Sequence, residues 1–181
     1  MKEKYLNKEI YLDKVKRLND PYWNRSYETR WQYMQDVLKE IDDYEFCWIL
    51  EIGAYKINYT DISHNMDVNA DFIDPDNKDN TMFIQDAGDV PYPIQDNQYE
   101  LVLACQCFEH FEGKQAQAFQ EIKRITSHAV ITIPWQWNCP EDKNHHNINE
   151  SHCLKWFGTD YKDFLIRDSM KAHRRLLHFK F

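Results

Sequence analysis

Glycine and proline are scarce, four and six residues among 181. With no low-complexity run either, collagen-like, spacer and disordered classes are excluded. No apolar run approaches the roughly 20 residues that cross a bilayer. The opening stretch, MKEKYLNKEIY, lacks the apolar core of a secretory signal, so a cytoplasmic protein with no membrane partner is expected. A basic excess is missing too: 30 acidic residues stand against 22 Lys and Arg, a formal charge of −8 at pH 7. A broad nucleic-acid footprint needs a basic face, so no nucleic-acid partner is expected. Lys171, Arg174 and Arg175 form a local basic group, expected on a solvated rim. Five cysteines, Cys47, Cys105, Cys107, Cys139 and Cys153, make an odd set, read as reduced thiols that are mostly buried.

What is present suits one globular domain, long enough to bury roughly two-thirds of its unfolded surface. Leu6, Ile10, Val15 and Leu18 recur at helical spacing until Asn19-Asp20-Pro21 stops them. A second helix is predicted from near Arg25 through Trp31, Met34, Val37, Leu38 and Ile41. Tyr22, Trp23, Tyr27, Trp31 and Tyr33 crowd the junction, either as a packing cluster or as a lid over an active-site mouth.

Strands are predicted over 46–52, 64–68, 81–85, 99–104 and 129–134, with a helix over 113–126. Leu101, Val102 and Leu103 are continuous rather than alternating, the mark of a strand in a parallel sheet covered on both faces. Such sheets bind ligands beyond the carboxyl ends of their strands, which here means Cys105, Gln106, Glu109 and His110. The first strand stops at Gly53, which permits a tight turn and close approach to a ligand. Asp67 ends the second strand where a nucleotide site accepts hydrogen bonds from ribose hydroxyls, with Asp61 as the alternative. Asp86 and Ala87 leave the third strand together, an arrangement suited to an aromatic base with an exocyclic amine, or to a plain turn.

Residues 135–150, WQWNCPEDKNHHNINE, are long for a structureless connection, and such loops are often functional or mobile. Cys139, His145, His146, His152 and Cys153 place five possible zinc ligands close together, but their spacing matches neither CxxC nor HExxH, and no metal is assigned. At the tail, 164–168 and 174–181 are expected to pair as an antiparallel hairpin on the sheet edge.

The segments LEIG, MDV, FIQDAGDVPYPIQDNQYELVLACQCFEHF, EIKRI and AVITIP, in that order, resemble the class I S-adenosylmethionine-dependent methyltransferase family, in its small-molecule, type 11-like branch. The resemblance covers about residues 46–134. It implies a three-layer, Rossmann-like α/β sandwich: a mostly parallel seven-stranded sheet with an antiparallel C-terminal edge strand. Residues 1–42 would be N-terminal helices and 43–181 the core of a single domain, as a monomer or homodimer. S-adenosylmethionine is the cofactor implied. Glu51 and Gly53 would stand at the first-strand loop, Asp67 at the ribose, Asp86 near the adenine amine, Ala87 beside the ring and Gln106 near the methionine part. Where the family has a GxGxG loop this chain has GAYKI, and the helix that follows is shortened or omitted.

The implied reaction is methyl transfer to an oxygen or nitrogen nucleophile of a small molecule or sugar. Such transfer needs alignment and, for some acceptors, a base; His110, His145 and His146 are the candidates. Trp135 and Trp137 would wall the substrate pocket or anchor the loop. The reduced glycine loop motivates the alternative expectation, a non-catalytic binding or scaffold protein on the same fold.

Overall fold

The computed structural model describes residues 4–77, 80–158 and 173–181. Three helices open the chain. Helix α1 (Lys8–Leu18) is capped by Asn7, whose side chain accepts from the Ile10 N–H, and it ends at Asn19 in the left-handed conformation. The sequence predicts one further helix beginning near Arg25, but there are two. The short α2 (Pro21–Asn24) starts on an Asp20 cap with proline at its first position, a strong local start signal, and α3 (Tyr27–Ile41) follows after a break.

Six strands form one sheet: β1 (Ile49–Ile52), β2 (His64–Asp67), β3 (Met82–Ile84), β4 (Tyr99–Cys105), β5 (Thr126–Pro134) and β6 (Arg174–Lys180). Their order is β3-β2-β1-β4-β5-β6; the first five are parallel and β6 runs antiparallel to β5. Seven strands were expected, and six are found among the described residues. The predicted strand 164–168, the proposed hairpin partner of the tail, lies outside them, as does Lys171.

Two helices of the second half, α4 (Gln115–Ile125) and α5 (Glu150–Phe157), complete the layers. On one face Val15, Met34, Val37 and Ile41 of α1 and α3 pack against Ile49, Leu101, Leu103 and Val130. On the other, Phe119, Ile122 and Phe157 pack against Leu50, Val102, Ala104 and Ile131. The sheet is therefore covered on both sides, which is why the β4 run is apolar without alternation. The core is an α/β sandwich of three layers, as expected.

The connection from β1 to β2, residues 53–63, contains no helix. α1 and α3 cover that side instead, and a buried ion pair ties α1 to the chain beyond β2: Lys14 Nζ stands 2.7 Å from Asp74 Oδ2, which also accepts from the Asn58 N–H. β1 leads outward to β2 and β3, whereas β4 leads to β5 on its other side. The β1/β4 boundary is thus a topological switch point, where parallel sheets open a crevice at their carboxyl ends. Among the described residues no helix is long and apolar enough to cross a membrane.

Candidate active site

At that switch point lies a cavity of about 370 Å³, a size suited to a small organic ligand. All six residues predicted to face a cofactor, Glu51, Gly53, Asp67, Asp86, Ala87 and Gln106, line it. Asp61, the alternative to Asp67, is exposed and is not among its lining residues.

Gly53 turns the chain out of β1 with φ +66°, while its N–H donates to the Met66 carbonyl at 2.9 Å. The next tight positions are not glycines. Tyr55 and Lys56 have φ of 44° and 71°, in the left-handed region, which costs a non-glycine residue roughly 1–2 kcal/mol. Several contacts hold them there. Trp23 Nε1 donates to the Tyr55 carbonyl at 2.9 Å, Lys56 N–H donates to the Phe72 carbonyl at 2.6 Å, and Lys56 Nζ pairs with Asp20 at 2.8 Å. The Tyr55 ring meets Tyr22 edge-on, with centroids 4.8 Å apart, and Phe72 at 5.0 Å. The chain therefore makes the GAYKI turn without extra glycines by clamping it under α2. Tyr22, Trp23 and Tyr33 also line the cavity, so the aromatic junction is both a packing cluster and a wall.

Glu51 is 1% exposed and points into protein, its carboxylate accepting from the N–H groups of Tyr59 and Thr60 at 2.9–3.1 Å. Burial pushes its carboxyl up to about 7, against the pull of those hydrogen bonds. Asp67 is also raised by burial, and its Oδ1 accepts from the Val68 N–H at 2.7 Å. Asp86 accepts from the Gly88 N–H at 2.7 Å, and the buried Ala87 accepts from the Tyr92 hydroxyl at 2.6 Å. Gln106 has φ 57°, and its Nε2 donates to Thr132 Oγ1 at 3.0 Å, leaving Oε1 buried with no hydrogen-bond partner among the described residues. The cysteine thiols are free; burial pushes Cys105 up to about 12 and also raises Cys107, which suits packing rather than nucleophilic attack. Cys47 is exposed, contrary to its expected burial.

Past Gln106 the chain forms a 3₁₀ turn (Phe108–His110) that sends His110 to the cavity wall and Glu109 inward. The long loop returns His145 to the same corner. Its Nε2 stands 3.4 Å from Glu109 Oε1, its Nδ1 pairs with Asp142, and its ring centroid is 4.9 Å from that of His110. Glu109 holds the His145 proton more firmly than usual, with burial opposing and Asp142 assisting. His146 is not brought there: its Nδ1 accepts from the Cys139 N–H at 3.1 Å, and its Nε2 pairs with Asn147. The other members of the Cys and His group also disperse. His152 joins Asn149 in capping α5, and Cys153 is fully buried.

Trp135 is an anchor, with the Arg175 guanidinium 3.2 Å from its ring centre, whereas Trp137 faces His145 with centroids 5.8 Å apart. Arg174 and Arg175 are not a solvated rim, because Arg175 is 8% exposed and Arg174 lies over the rings of Tyr33 and Trp137. Sequence reasoning missed Arg174 as a neighbour of the site. Burial lowers its pKa and the charge of Glu109 works against that. Asp142, three residues before His145, carried the one local signal for an orienting partner.

Residues 43–131 match the model of a family described as a methyltransferase domain. The fold is similar to that of the N-methyltransferase NodS from Bradyrhizobium japonicum WM9 in complex with S-adenosyl-L-homocysteine: TM-score 0.68, 12% identity, 95% of this chain and 96% of that one. A SAM-dependent methyltransferase from Aquifex aeolicus gives 0.63 at 13% identity, over 92% and 96%. The 16S rRNA methylase RmtB gives 0.62 at 13%, over 97% and 76%. At these identities the likeness is one of fold. No curated protein matches the sequence.

Proposed function

Since the chain belongs to the class I S-adenosylmethionine-dependent methyltransferases, we propose that it methylates an oxygen or nitrogen nucleophile of a small molecule or sugar. The observation that carries this reading is convergence. The six strand-end residues and the Glu109, His110 and His145 corner come from five separate parts of the chain, yet all meet at one cavity or its rim.

The residues present suit the cofactor. The half-buried carboxylate of Asp67 would take the ribose hydroxyls, Asp86 the adenine amine, and small Ala87 leaves the ring its space. The buried Oε1 of Gln106, unpartnered among the described residues, offers an acceptor to the cationic methionine end. When bound, S-adenosylmethionine supplies a methyl group on an already activated sulfonium, so the protein's task is alignment and, where needed, removal of a proton. Tyr22, Trp23 and Tyr33 wall the cavity from α2 and α3. An acceptor entering from the loop side meets His110 and His145 first. The net charge of −8 disfavours a nucleic-acid acceptor, although one fold relative is an rRNA methylase.

Calorimetric titration with S-adenosylmethionine and S-adenosyl-L-homocysteine tests the reading. Binding of both is expected. Absence of binding at millimolar concentration overturns it and leaves the scaffold alternative.

A further inference from the structure

We propose that Glu109, His110 and His145 hold a divalent first-row transition ion, such as zinc, at the acceptor side of the cavity. One donor atom from each of the three lies within 4.8 Å of the others. Donors of one tetrahedral ion at about 2.1 Å stand roughly 3.4 Å from each other. His145 Nε2 and Glu109 Oε1 are already 3.4 Å apart.

A second, independent observation is the state of Glu109. Its side chain has no solvent exposure, and among the described residues neither carboxylate oxygen receives a well-aligned hydrogen bond; Oε1 has His145 Nε2 beside it at 3.4 Å, and Oε2 has no partner. A buried carboxylate needs donors or a cation, because desolvation without compensation costs several kcal/mol. The groups facing it are the two imidazoles and, through space, the Arg174 guanidinium. Arg174 balances the charge but supplies no hydrogen bond to it, so among the described residues Oε2 is unpartnered and Oε1 has the His145 imidazole as its ion-pair neighbour.

The surrounding groups orient the two histidines as metal ligands are oriented. Asp142 holds His145 at Nδ1, which turns Nε2 toward Glu109. The side-chain amide of Asn144 stands 3.1 Å from His110 Nδ1. The amide atom placed there is Nδ2, which donates to Nδ1; metal binding through His110 Nε2 requires the amide turned over, so that Oδ1 accepts from an Nδ1–H and Nε2 keeps its lone pair. Two imidazoles and one carboxylate favour zinc, manganese or iron over calcium and magnesium, which prefer all-oxygen sets. Three protein ligands also leave positions open, and His110 lines the cavity, so the open side faces the place of the acceptor. The role follows only if the methyl-transfer reading holds: the ion would bind the acceptor's oxygen or nitrogen and lower its affinity for its proton. The Cys and His group singled out in the long loop contributes one member, His145, and the other two ligands come from the end of β4.

The test uses the full chain stripped with chelator and titrated calorimetrically with Zn²⁺ and with Mn²⁺, alongside Co²⁺ absorption spectra. One ion per chain is expected, with affinity reduced on the order of 100-fold in Glu109→Gln and in His145→Ala, and unchanged in His146→Ala. Circular dichroism confirms folding, and His145→Ala, at a partly exposed position, carries the test should the buried Glu109 variant fail to fold. No stoichiometric binding to the wild type, or equal binding in His145→Ala, overturns the site. Titration of the stripped protein with S-adenosyl-L-homocysteine separates the two readings. Homocysteine-product binding without metal binding removes the ion and keeps methyl transfer; metal binding without it does the reverse.

Discussion

Gly53 and Cys107 pack so tightly that a β-carbon on the glycine would stand 2.7 Å from Cβ of the cysteine. The turns leaving β1 and β4 therefore meet as a seam beneath the cavity, closed further by Cys107 Sγ donating to the Ile52 carbonyl at 3.2 Å.

Gly53→Ala is expected to lower stability by about 1–3 kcal/mol, through overpacking and through its left-handed φ, and to weaken S-adenosyl-L-homocysteine binding. Urea denaturation and calorimetry measure the two effects. Adding Cys107→Gly removes the contact but not the backbone strain, so only part of the lost affinity should return. Full recovery would show that the dihedral angle costs nothing.

Trp23→Phe keeps a buried ring but removes the donor to the Tyr55 carbonyl. Loss of one hydrogen bond with its acceptor left in place costs about 1–3 kcal/mol. Because that bond restrains a left-handed residue beside the cavity, affinity for S-adenosyl-L-homocysteine should fall along with the urea midpoint. A fall in stability with unchanged affinity would show that the clamp does not shape the binding loop.

Asp67→Asn preserves shape and removes the charge at the end of β2. A charged hydrogen bond to a ribose hydroxyl is worth about 1.5–3 kcal/mol, so calorimetry should record affinity about tenfold weaker or more, with little change in melting temperature. Unchanged affinity would remove Asp67 from the cofactor site.

Glu51 predicts a pH dependence of stability. Its carboxyl is raised by burial to about 7 in the folded chain, from an ordinary value near 4.5. The fold therefore favours the protonated form. The stabilisation from that preference is complete below about pH 4.5 and declines as pH rises to about 7, where it is lost. Its size is about 3 kcal/mol at most. Urea midpoints between pH 5 and 8 should fall more steeply in the wild type than in Glu51→Gln, which has no proton to lose. Parallel slopes would mean that the hydrogen bonds from Tyr59 and Thr60 offset the burial.

The strand-end side of the cavity was legible because each of its residues is placed by local rules. Glu51, Gly53, Asp67 and Asp86 stand at or just beyond strand ends, and a strand end is marked by where its own apolar run stops. The GAYKI loop was harder. Composition shows that Tyr55 and Lys56 resist left-handed angles, but not that Trp23, Asp20 and Phe72 stand ready to hold them there. The corner of Glu109, His110 and His145 was least legible. His145 and His146 are adjacent in an irregular loop and chemically identical, and Asp142, three residues before one and four before the other, marks an orienting partner without telling which of them reaches Glu109.

Apolar periodicity and the positions of its interruptions were enough to determine the strand sequence, the doubly covered sheet and the row of polar residues at the carboxyl edge, since each depends on neighbours along the chain. Tertiary structure alone decided that the N-terminal helices replace the missing crossover helix, that β6 brings Arg174 to the site, and that His145 rather than His146 reaches Glu109. Those outcomes depend on how distant segments pack in space, where loop direction and burial, rather than residue type, select the partners.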